Sequence, residues 1–228
     1  MREIVLDTET TGLDPNSGHR IVEIGCVETR YHITTGESFH VYINPERDMP
    51  EEAFNVHGLS EQFLSDKPVF AEVVEDFLAF IGDSPLVIHN AEFDMKFLNA
   101  ELKKVGRPLL GRDRAVDTVT MARRKFPGAQ ANLDSLCRRF EIDLSRRDKH
   151  GALLDAELLA DVYLQLRGGA QPGLELAGDT SQSGRDSVVI ERQARAPRPH
   201  APSAEELAAH AALVESLKDP VWSAGGGD

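Results

Sequence analysis

Two acidic side chains stand at the end of an apolar run near the start of the chain, in the segment IVLDTET at residues 4–10. Residues two apart on a β-strand point to the same face, so the carboxylates of Asp7 and Glu9 are predicted to project together. A cation between them would relieve the repulsion that otherwise raises the pKa of one acid. Because Mg²⁺ and Mn²⁺ prefer oxygen ligands, the pair predicts a divalent-metal site rather than an ordinary loop or helix cap at Asp7.

Two further acids and one histidine have positions suited to the same chemistry. Asp94 lies one turn into a predicted helix that begins where an apolar strand ends, and open α/β sheets bind ligands at such ends. Taken alone, Asp94 also fits a first-turn acid that complements the helix dipole. Asp155 lies at the edge of the apolar face of another predicted helix, where the alternative is an ordinary surface charge.

His150 is predicted to lie on the loop ahead of that second helix, because Gly151 lets the chain turn into it. An imidazole beside a metal-bound water can remove its proton as a general base. The chain has eight histidines, so most of them must be ordinary. No role is predicted for His19, His32, His40, His200 and His210.

An α/β domain ending near Arg167 is predicted to position these residues, because strands come first and then alternate with helices. Hydrophobic periodicity predicts strands at 3–7, 20–28, 37–43 and 86–89, with a hairpin turn at 34–36. The same criterion predicts helices at 68–82, 91–105, 118–126, 132–140 and 152–166.

The composition changes after residue 167. Residues 168–202 are rich in Gly, Ser, Gln, Arg and Pro, which is typical of a flexible linker, with a short apolar segment at 188–191. A helix is predicted at 203–219, because Ser203 and Glu206 form a capping box ahead of a modest apolar face. An isolated helix of this length is marginal in water, so we expect it to dock on a partner protein; the alternative is a frayed, solvated tail.

The bulk composition limits the classes of protein that fit. The chain has 228 residues, of which 41% are hydrophobic, enough for one substantial domain plus an appendage. A formal net charge of −13 argues against a general basic surface, so contact with nucleic acid is expected to be local and metal-assisted. Cys26 and Cys137 are predicted to be free, buried thiols. With no signal-peptide pattern and no apolar stretch of membrane-spanning length, a cytoplasmic location is predicted.

Three segments carry a resemblance to a known family: DTETTG at 7–12, HNAEFD at 89–94 and HGALLDA at 150–156. In order and spacing they resemble the three motifs of the DEDDh 3′→5′ exonucleases. Four further segments are similar to the epsilon proofreading subunits of bacterial DNA polymerase III, namely PEEAFNVHGLS at 50–60, DKPVFAEV at 66–73, VDTVTMARRKFPG at 116–128 and NLDSLCRRF at 132–140. The resemblance covers about residues 2–167.

The resemblance implies an RNase H-like exonuclease fold, with a mixed central sheet flanked by helices and a flexible C-terminal tail that ends in a helix. It divides the chain into an exonuclease domain at 1–167, a flexible linker at 168–202 and a helix at 203–219 that docks on the catalytic alpha subunit of the polymerase. It also implies two divalent metal ions, Mg²⁺ or Mn²⁺. The implied metal-binding and catalytic acids are Asp7, Glu9, Asp94 and Asp155, with His150 as general base.

The family's substrate contacts can be carried over in the same way. Glu52 and His57, in EAFNVHG, match positions that contact the terminal nucleotide, together with Asp7, Glu9 and Asp155 of the metal site. Thr8 and Thr10 match positions near the terminal 3′-hydroxyl. Phe93 matches a wedge near the terminal bases, although a buried Phe is more often part of a core.

Other partners of the family receive less support. Epsilon subunits commonly carry a sliding-clamp-binding peptide just after the nuclease domain, and the corresponding stretch here is LELAGDTSQSGRD at 174–186. It lacks paired apolar or aromatic residues behind its Gln, so clamp contact is predicted to be weak, displaced or absent. Whether a small stabilising subunit binds the nuclease domain is left open.

Three functions remain to be distinguished. The first is a polymerase-bound proofreader that removes mismatched 3′-terminal nucleotides from DNA as 5′-monophosphates. The second is a free-standing DEDDh nuclease that acts on RNA 3′ ends or short oligonucleotides. The third is a catalytically silent binding module, which the full set of acids and His150 disfavours. The linker and the terminal helix favour the proofreader.

Overall fold

The buried strands form one five-stranded sheet in the computed structural model, which describes residues 1–145, 147, 149–169 and 201–217. Its strands are Arg2–Thr10 (β1), Ile21–Arg30 (β2), Ile33–Tyr42 (β3), Leu86–Ile88 (β4) and Ala115–Asp117 (β5). The order across the sheet is β3-β2-β1-β4-β5. The β1–β2 and β2–β3 pairs are antiparallel, whereas β1–β4 and β4–β5 are parallel. The sheet is therefore mixed, as the exonuclease resemblance implies.

Helices connect and cover these strands. The helices of the first part of the chain are Glu51–His57 (α1), Glu61–Leu64 (α2), Phe70–Ile81 (α3), Ala91–Lys104 (α4), Thr118–Lys125 (α5), Leu133–Arg139 (α6) and Ala152–Leu166 (α7). In the part of the chain that the structure describes, no helix is both long and apolar enough to cross a membrane.

The alternation of side chains along β1 builds two cores. Ile4 and Leu6 point to one face, where they pack with Phe77 of α3 and Phe97 of α4, all fully buried. Val5 points to the other face and packs with residues of α5, α6 and α7, including Tyr163. Asp7 and Glu9 follow Val5 at intervals of two residues, so they share the face that α7 covers.

The observed elements agree with the periodicity for most of the chain, with one error and three omissions. The hairpin turn predicted at 34–36 is wrong, because those residues belong to β3 and the turn is Tyr31–His32. Both turn residues have positive φ, as a two-residue hairpin requires, but neither is a residue type that signals such a turn. The short elements α1, α2 and β5 were not predicted. Cys26 and Cys137 are free and buried, as predicted.

The chain divides into two units, residues 1–174 and 175–228. Within the second unit the described residues form one helix, Ala204–Ser216 (α8). The predicted capping box is present, with the Ser203 hydroxyl accepting from the Glu206 backbone and the Glu206 carboxylate accepting from the Ser203 backbone. The segments singled out at 174–186 and 188–191 lie outside the described residues.

Candidate active site

Asp7 and Glu9 lie at the carboxyl end of β1, where the sheet stops being regular. In register, Asp7 is opposite Gly25 and Glu9 is opposite Glu23 on β2. The register shifts between Glu9 and Thr10, which indicates a β-bulge, an irregularity common beside active sites. The strand therefore delivers both carboxylates to one face at a point where the chain turns away from the sheet.

The two carboxylates lie in a strongly negative environment. Burial and the neighbouring charge of Asp94 raise the pKa of Asp7 well above its ordinary value. Burial, followed by the charges of Glu23 and Asp155, raises the pKa of Glu9 to about 8. Each shift has the direction expected for acids that repel one another in a site of low dielectric. The surrounding protein therefore favours the protonated, uncharged forms of Asp7 and Glu9 when no cation lies between them.

Asp94 reaches the same end of the sheet from the first turn of α4. Its side chain is 3% exposed and accepts a hydrogen bond of 2.7 Å from the hydroxyl of Thr8. Burial raises the pKa of Asp94 to about 7, although the bond from Thr8 opposes the rise. Thr10 instead donates its hydroxyl to the carbonyl of Gly12 at 2.7 Å, which closes the turn after β1.

Asp155, in the first turn of α7, is held by an arginine that the sequence analysis did not single out. The Nε and Nη2 atoms of Arg147 donate to the two carboxylate oxygens of Asp155 at 2.6 and 2.7 Å. Arg147 also pairs with Asp134 of α6, and its side chain is only 9% exposed. Burial alone would raise the pKa of Asp155, but the hydrogen bonds from Arg147 and His150 hold it below its ordinary value.

His150 lies on the loop ahead of α7, as predicted, and its side chain is 49% exposed. The Nδ1 atom is 3.1 Å from Oδ2 of Asp155 and 2.8 Å from Nη2 of Arg147. Nδ1 can donate to the carboxylate or accept from the guanidinium, but one nitrogen cannot do both. Donation to Asp155 is the arrangement that leaves Nε2 without a proton and able to act as a base.

A cleft of about 340 Å³ lies against Asp7, Asp155 and His150, whereas Glu9 and Asp94 are not part of its lining. Its lining comprises Asp7, His89, Asn132, Leu133, Asp134, Arg147, His150 and Asp155. Potential ligand atoms of Glu9, His150 and Asp155 all lie within 4.8 Å of one another. Carboxylate oxygens are the ligands that a hard divalent cation prefers, and the nearby imidazole of His150 is positioned to exchange a proton with a water.

Three residues matched to the terminal nucleotide lie on α1 and α4. His57 is 6% exposed, and its Nδ1 accepts from the Leu59 amide at 3.0 Å. Its buried Nε2 makes no hydrogen bond of normal geometry within the described residues. Burial lowers the pKa of His57, although Glu23 and the Thr10 backbone oppose this. Glu52, on the same helix, is exposed. Phe93 is half-buried and packs against Phe97, with ring centroids 4.9 Å apart and ring planes tilted by 44°.

Sequence reasoning missed four ionisable residues at this site. Arg147, Asp134 and His89 line the cleft, and Glu23 lies opposite Glu9. Arg147 stands three residues before His150, which is the one local signal that could have drawn attention to it. The other three join the site only through strand and helix pairing.

Comparisons with known proteins agree with this geometry. A family model described as Exonuclease matches residues 4–163. The DNA polymerase III subunit epsilon of Rickettsia felis is 50% identical over 222 residues, which cover 95% of this chain and 97% of that protein. The chain belongs to the family of DNA polymerase III epsilon subunits. Its counterpart in Escherichia coli is 44% identical over 227 residues, which cover 95% of this chain and 93% of that protein.

The solved structure of another exonuclease supports the fold assigned to this chain. The nuclease domain of 3′hExo, a DEDDh family member bound to rAMP, superposes with a TM-score of 0.63 at 18% identity and covers 73% of this chain and 91% of that one. The predicted family, α/β exonuclease fold and enzyme class are therefore confirmed, and the chain is a 3′→5′ exonuclease. The family depends on divalent metal, and the clustered acids with raised pKa values fit that requirement.

Proposed function

We propose that the chain proofreads DNA synthesis by removing mismatched 3′-terminal nucleotides as 5′-monophosphates through two-metal-ion hydrolysis. The observation that carries this chemistry is the convergence of Glu9, His150 and Asp155 within 4.8 Å of one another, beside Asp7. The role in replication is supported by the relatives from Rickettsia felis and Escherichia coli, which are epsilon subunits of DNA polymerase III and match nearly the whole chain.

The four acids would hold two divalent ions, Mg²⁺ or Mn²⁺. Asp7 would ligate both ions, Glu9 and Asp155 the ion on the side of the attacking water, and Asp94 the other, directly or through water. Such ions activate a water and stabilise the leaving 3′-oxygen when they are bound. The raised pKa values of Asp7 and Glu9 support this assignment, because acids that repel one another favour a cation between them.

His150 would act as the general base. Its ring is half-exposed at the mouth of the cleft, so a water can reach Nε2. Asp155, 3.1 Å from Nδ1, would fix the tautomer and stabilise the imidazolium that forms when Nε2 takes the proton. Arg147 competes for the same Nδ1, so the active arrangement requires the guanidinium to favour the carboxylates over the ring.

The terminal nucleotide would be held by α1. The buried Nε2 of His57, which makes no hydrogen bond of normal geometry within the described residues, would contact the nucleotide, and Glu52 lies on the same helix. The hydroxyl and the backbone N–H of Thr8 both bond to Asp94, so Thr8 would contribute to the 3′-end site by holding that carboxylate in place. A mismatched end frays with less unpairing, which would provide selectivity without reading the base sequence.

The second unit would tether the nuclease to the polymerase. Leu207 and Leu213 of α8 are 56% and 59% exposed, and an isolated helix of this length gains stability by docking. We assign this helix to the catalytic alpha subunit, with residues 168–202 as the linker and 1–167 as the exonuclease domain. A small stabilising subunit could bind the exonuclease domain of the same complex. The sequence at 174–186 gives no support for contact with the sliding clamp. We place the complex of nuclease and polymerase in the cytoplasm.

A primer-extension substrate tests this function. The full chain is incubated with Mg²⁺ and DNA primers that are either paired or mismatched at the 3′ end, beside His150→Ala and EDTA controls. We expect stepwise loss of 3′ nucleotides, faster on the mismatch and lost in both controls. Cleavage of short RNA without cleavage of DNA would replace proofreading with RNA-end processing.

A further inference from the structure

Glu23 is a buried acid beside the site that the exonuclease motifs do not include. It lies on β2 directly opposite Glu9 and is 3% exposed. Side chains opposite each other in an antiparallel pair have Cβ atoms about 5 Å apart, and like charges there are destabilising. The charge of Glu23 therefore lowers the stability of the protein alone. A role in the neighbouring site would account for its presence there.

His40 holds Glu23 from the next strand. The Nε2–H of His40 donates to the Glu23 carboxylate at 2.7 Å, and the His40 side chain is 30% exposed. His40 has room to do so because its own partner in the register is Gly25, which has no side chain. The ring also stacks edge-on against Tyr42, with centroids 4.7 Å apart. These contacts hold the Glu23 side chain on the same face of the sheet as Glu9.

Glu23 is placed to act through Glu9 rather than as an ion ligand itself. Within the described residues, the group whose ligand atoms lie within 4.8 Å of one another contains Glu9, His150 and Asp155 but not Glu23. We propose that Glu23, anchored by His40, is a positioning residue of the exonuclease site that holds Glu9 toward the divalent ions and increases their affinity. This inference rests on the proposed two-metal function.

The physical basis is that repulsion from Glu23 is relieved when a cation neutralises Glu9. The free energy released by that relief adds to the binding free energy of the ion. A fixed charge opposite Glu9 also disfavours rotamers in which the Glu9 carboxylate turns back toward β2. Residues that orient metal ligands in this way typically change metal affinity 10- to 100-fold when replaced.

The same face of the sheet offers a matched control. Glu3, at the other end of β1, is 2% exposed and is bound by His32 Nδ1 at 2.7 Å. The Tyr163 hydroxyl also donates to Glu3 at 2.7 Å. Glu3 is thus a buried glutamate tied to a histidine, as Glu23 is, but remote from the ion ligands. A purely structural role for either pair would affect stability and not metal affinity.

The test is the dissociation constant of Mn²⁺, measured by titration calorimetry on the full chain without DNA, together with the melting temperature in EDTA. We expect Glu23→Gln to weaken Mn²⁺ binding about 10-fold or more. Glu3→Gln should lower the melting temperature and leave the dissociation constant within about 2-fold of wild type. Glu23→Gln with wild-type affinity, or equal weakening in both variants, would overturn the inference.

Two further variants distinguish failure of the role of Glu23 from failure of the proposed metal site. If Glu23→Gln does not fold, His40→Gln is titrated instead, and an unchanged dissociation constant for that variant overturns the anchoring role. Asp7→Asn tests the underlying function, because it removes a proposed ligand. A wild-type chain that binds no Mn²⁺, or an Asp7→Asn chain that binds it normally, would refute the metal site itself rather than the role of Glu23 alone.

Discussion

Gly25 of β2 and Ala152 of α7 are in direct backbone contact, so a Cβ on Gly25 would overlap the carbonyl carbon of Ala152 and the amide nitrogen of Leu153. Gly25 is also the register partner of Asp7. The absent side chain therefore lets the first turn of α7, which carries Asp155, lie against the strand pair that carries Asp7. One glycine sets the separation of two acids from opposite ends of the domain.

Replacing that glycine tests its effect on the geometry of the site. Gly25→Ala should push α7 outward, cost about 1–3 kcal/mol of stability and reduce kcat/KM on single-stranded DNA about 100-fold. Thermal unfolding and exonuclease assays measure both effects. Gly111→Ala is the control, since its Cβ would meet only the side-chain end of Asp113. Full activity in a folded Gly25→Ala chain would contradict this prediction.

The metal-free protein should lose stability as the pH rises. The pKa of Glu9 is about 8 in the folded chain, whereas its ordinary value is 4.5. The contribution of Glu9 to stability is therefore fully present below pH 4.5 and is lost as the pH rises toward 8. Asp7 shifts in the same direction. Melting temperatures in EDTA should therefore fall from about pH 5.5 to about pH 8.5.

Two comparisons test whether the acids of the metal site cause this pH dependence. Glu9→Gln removes a titrating group and should fall less steeply in EDTA than wild type. Saturating Mg²⁺ should flatten the wild-type curve, because bound cations stabilise the ionised acids. A slope that is identical in Glu9→Gln and wild type would show that other groups cause the loss.

Arg147 should stabilise the metal-free protein by neutralising Asp155. Removing one member of a buried ion pair leaves the other charge uncompensated, so Arg147→Ala should cost about 3 kcal/mol of unfolding free energy in EDTA. Mg²⁺ should restore part of that loss, because a divalent ion can neutralise the same carboxylate. Denaturant unfolding with and without Mg²⁺ measures both quantities.

Arg138 supplies the matched control for Arg147. It also pairs with Asp134, at 3.9 Å, but its side chain is 72% exposed. Arg138→Ala should change stability by no more than about 0.5 kcal/mol. Equal losses in the two variants would mean that pairing with Asp134, rather than with Asp155, gives Arg147 its effect.

His57 should matter for substrate rather than for stability. An Asn at this position can keep an acceptor for the Leu59 amide while it removes the buried Nε2. We expect His57→Asn to lower kcat/KM on single-stranded DNA at least 10-fold, while the melting temperature changes by only a few degrees at most. A variant with wild-type kinetics would exclude Nε2 from substrate binding.

The exposed apolar residues of α8 should be needed for assembly and not for catalysis. Leu207→Asp combined with Leu213→Asp should abolish co-purification with the polymerase catalytic subunit, because each charge would have to be buried at the interface. Exonuclease activity on single-stranded DNA should be unchanged. Glu215→Ala, on the same helix, is the control. A double variant that still co-purifies would place the interface elsewhere.

Much of the candidate site follows from local sequence patterns. Alternation along β1 places Asp7 and Glu9 on one face, and the strand-to-helix pattern at 86–105 places Asp94 in the first turn of α4. Gly151 separates His150 from α7, as expected from a glycine before a helix. These features depend on residues a few positions apart, so periodicity and cap chemistry suffice to predict them. The turn at Tyr31–His32 was missed because its residue types carry no turn signal.

The amino-acid sequence by itself thus determined the order of the elements, the faces they bury and which acids stand at strand and helix ends. Only the tertiary structure decided that Arg147 bonds to Asp155, that Glu23 lies opposite Glu9 and that Gly25 admits α7. Each of these contacts depends on how separate elements pair and pack. The two residues of each contact meet only because the whole fold brings them together. A local sequence pattern therefore cannot predict the contact.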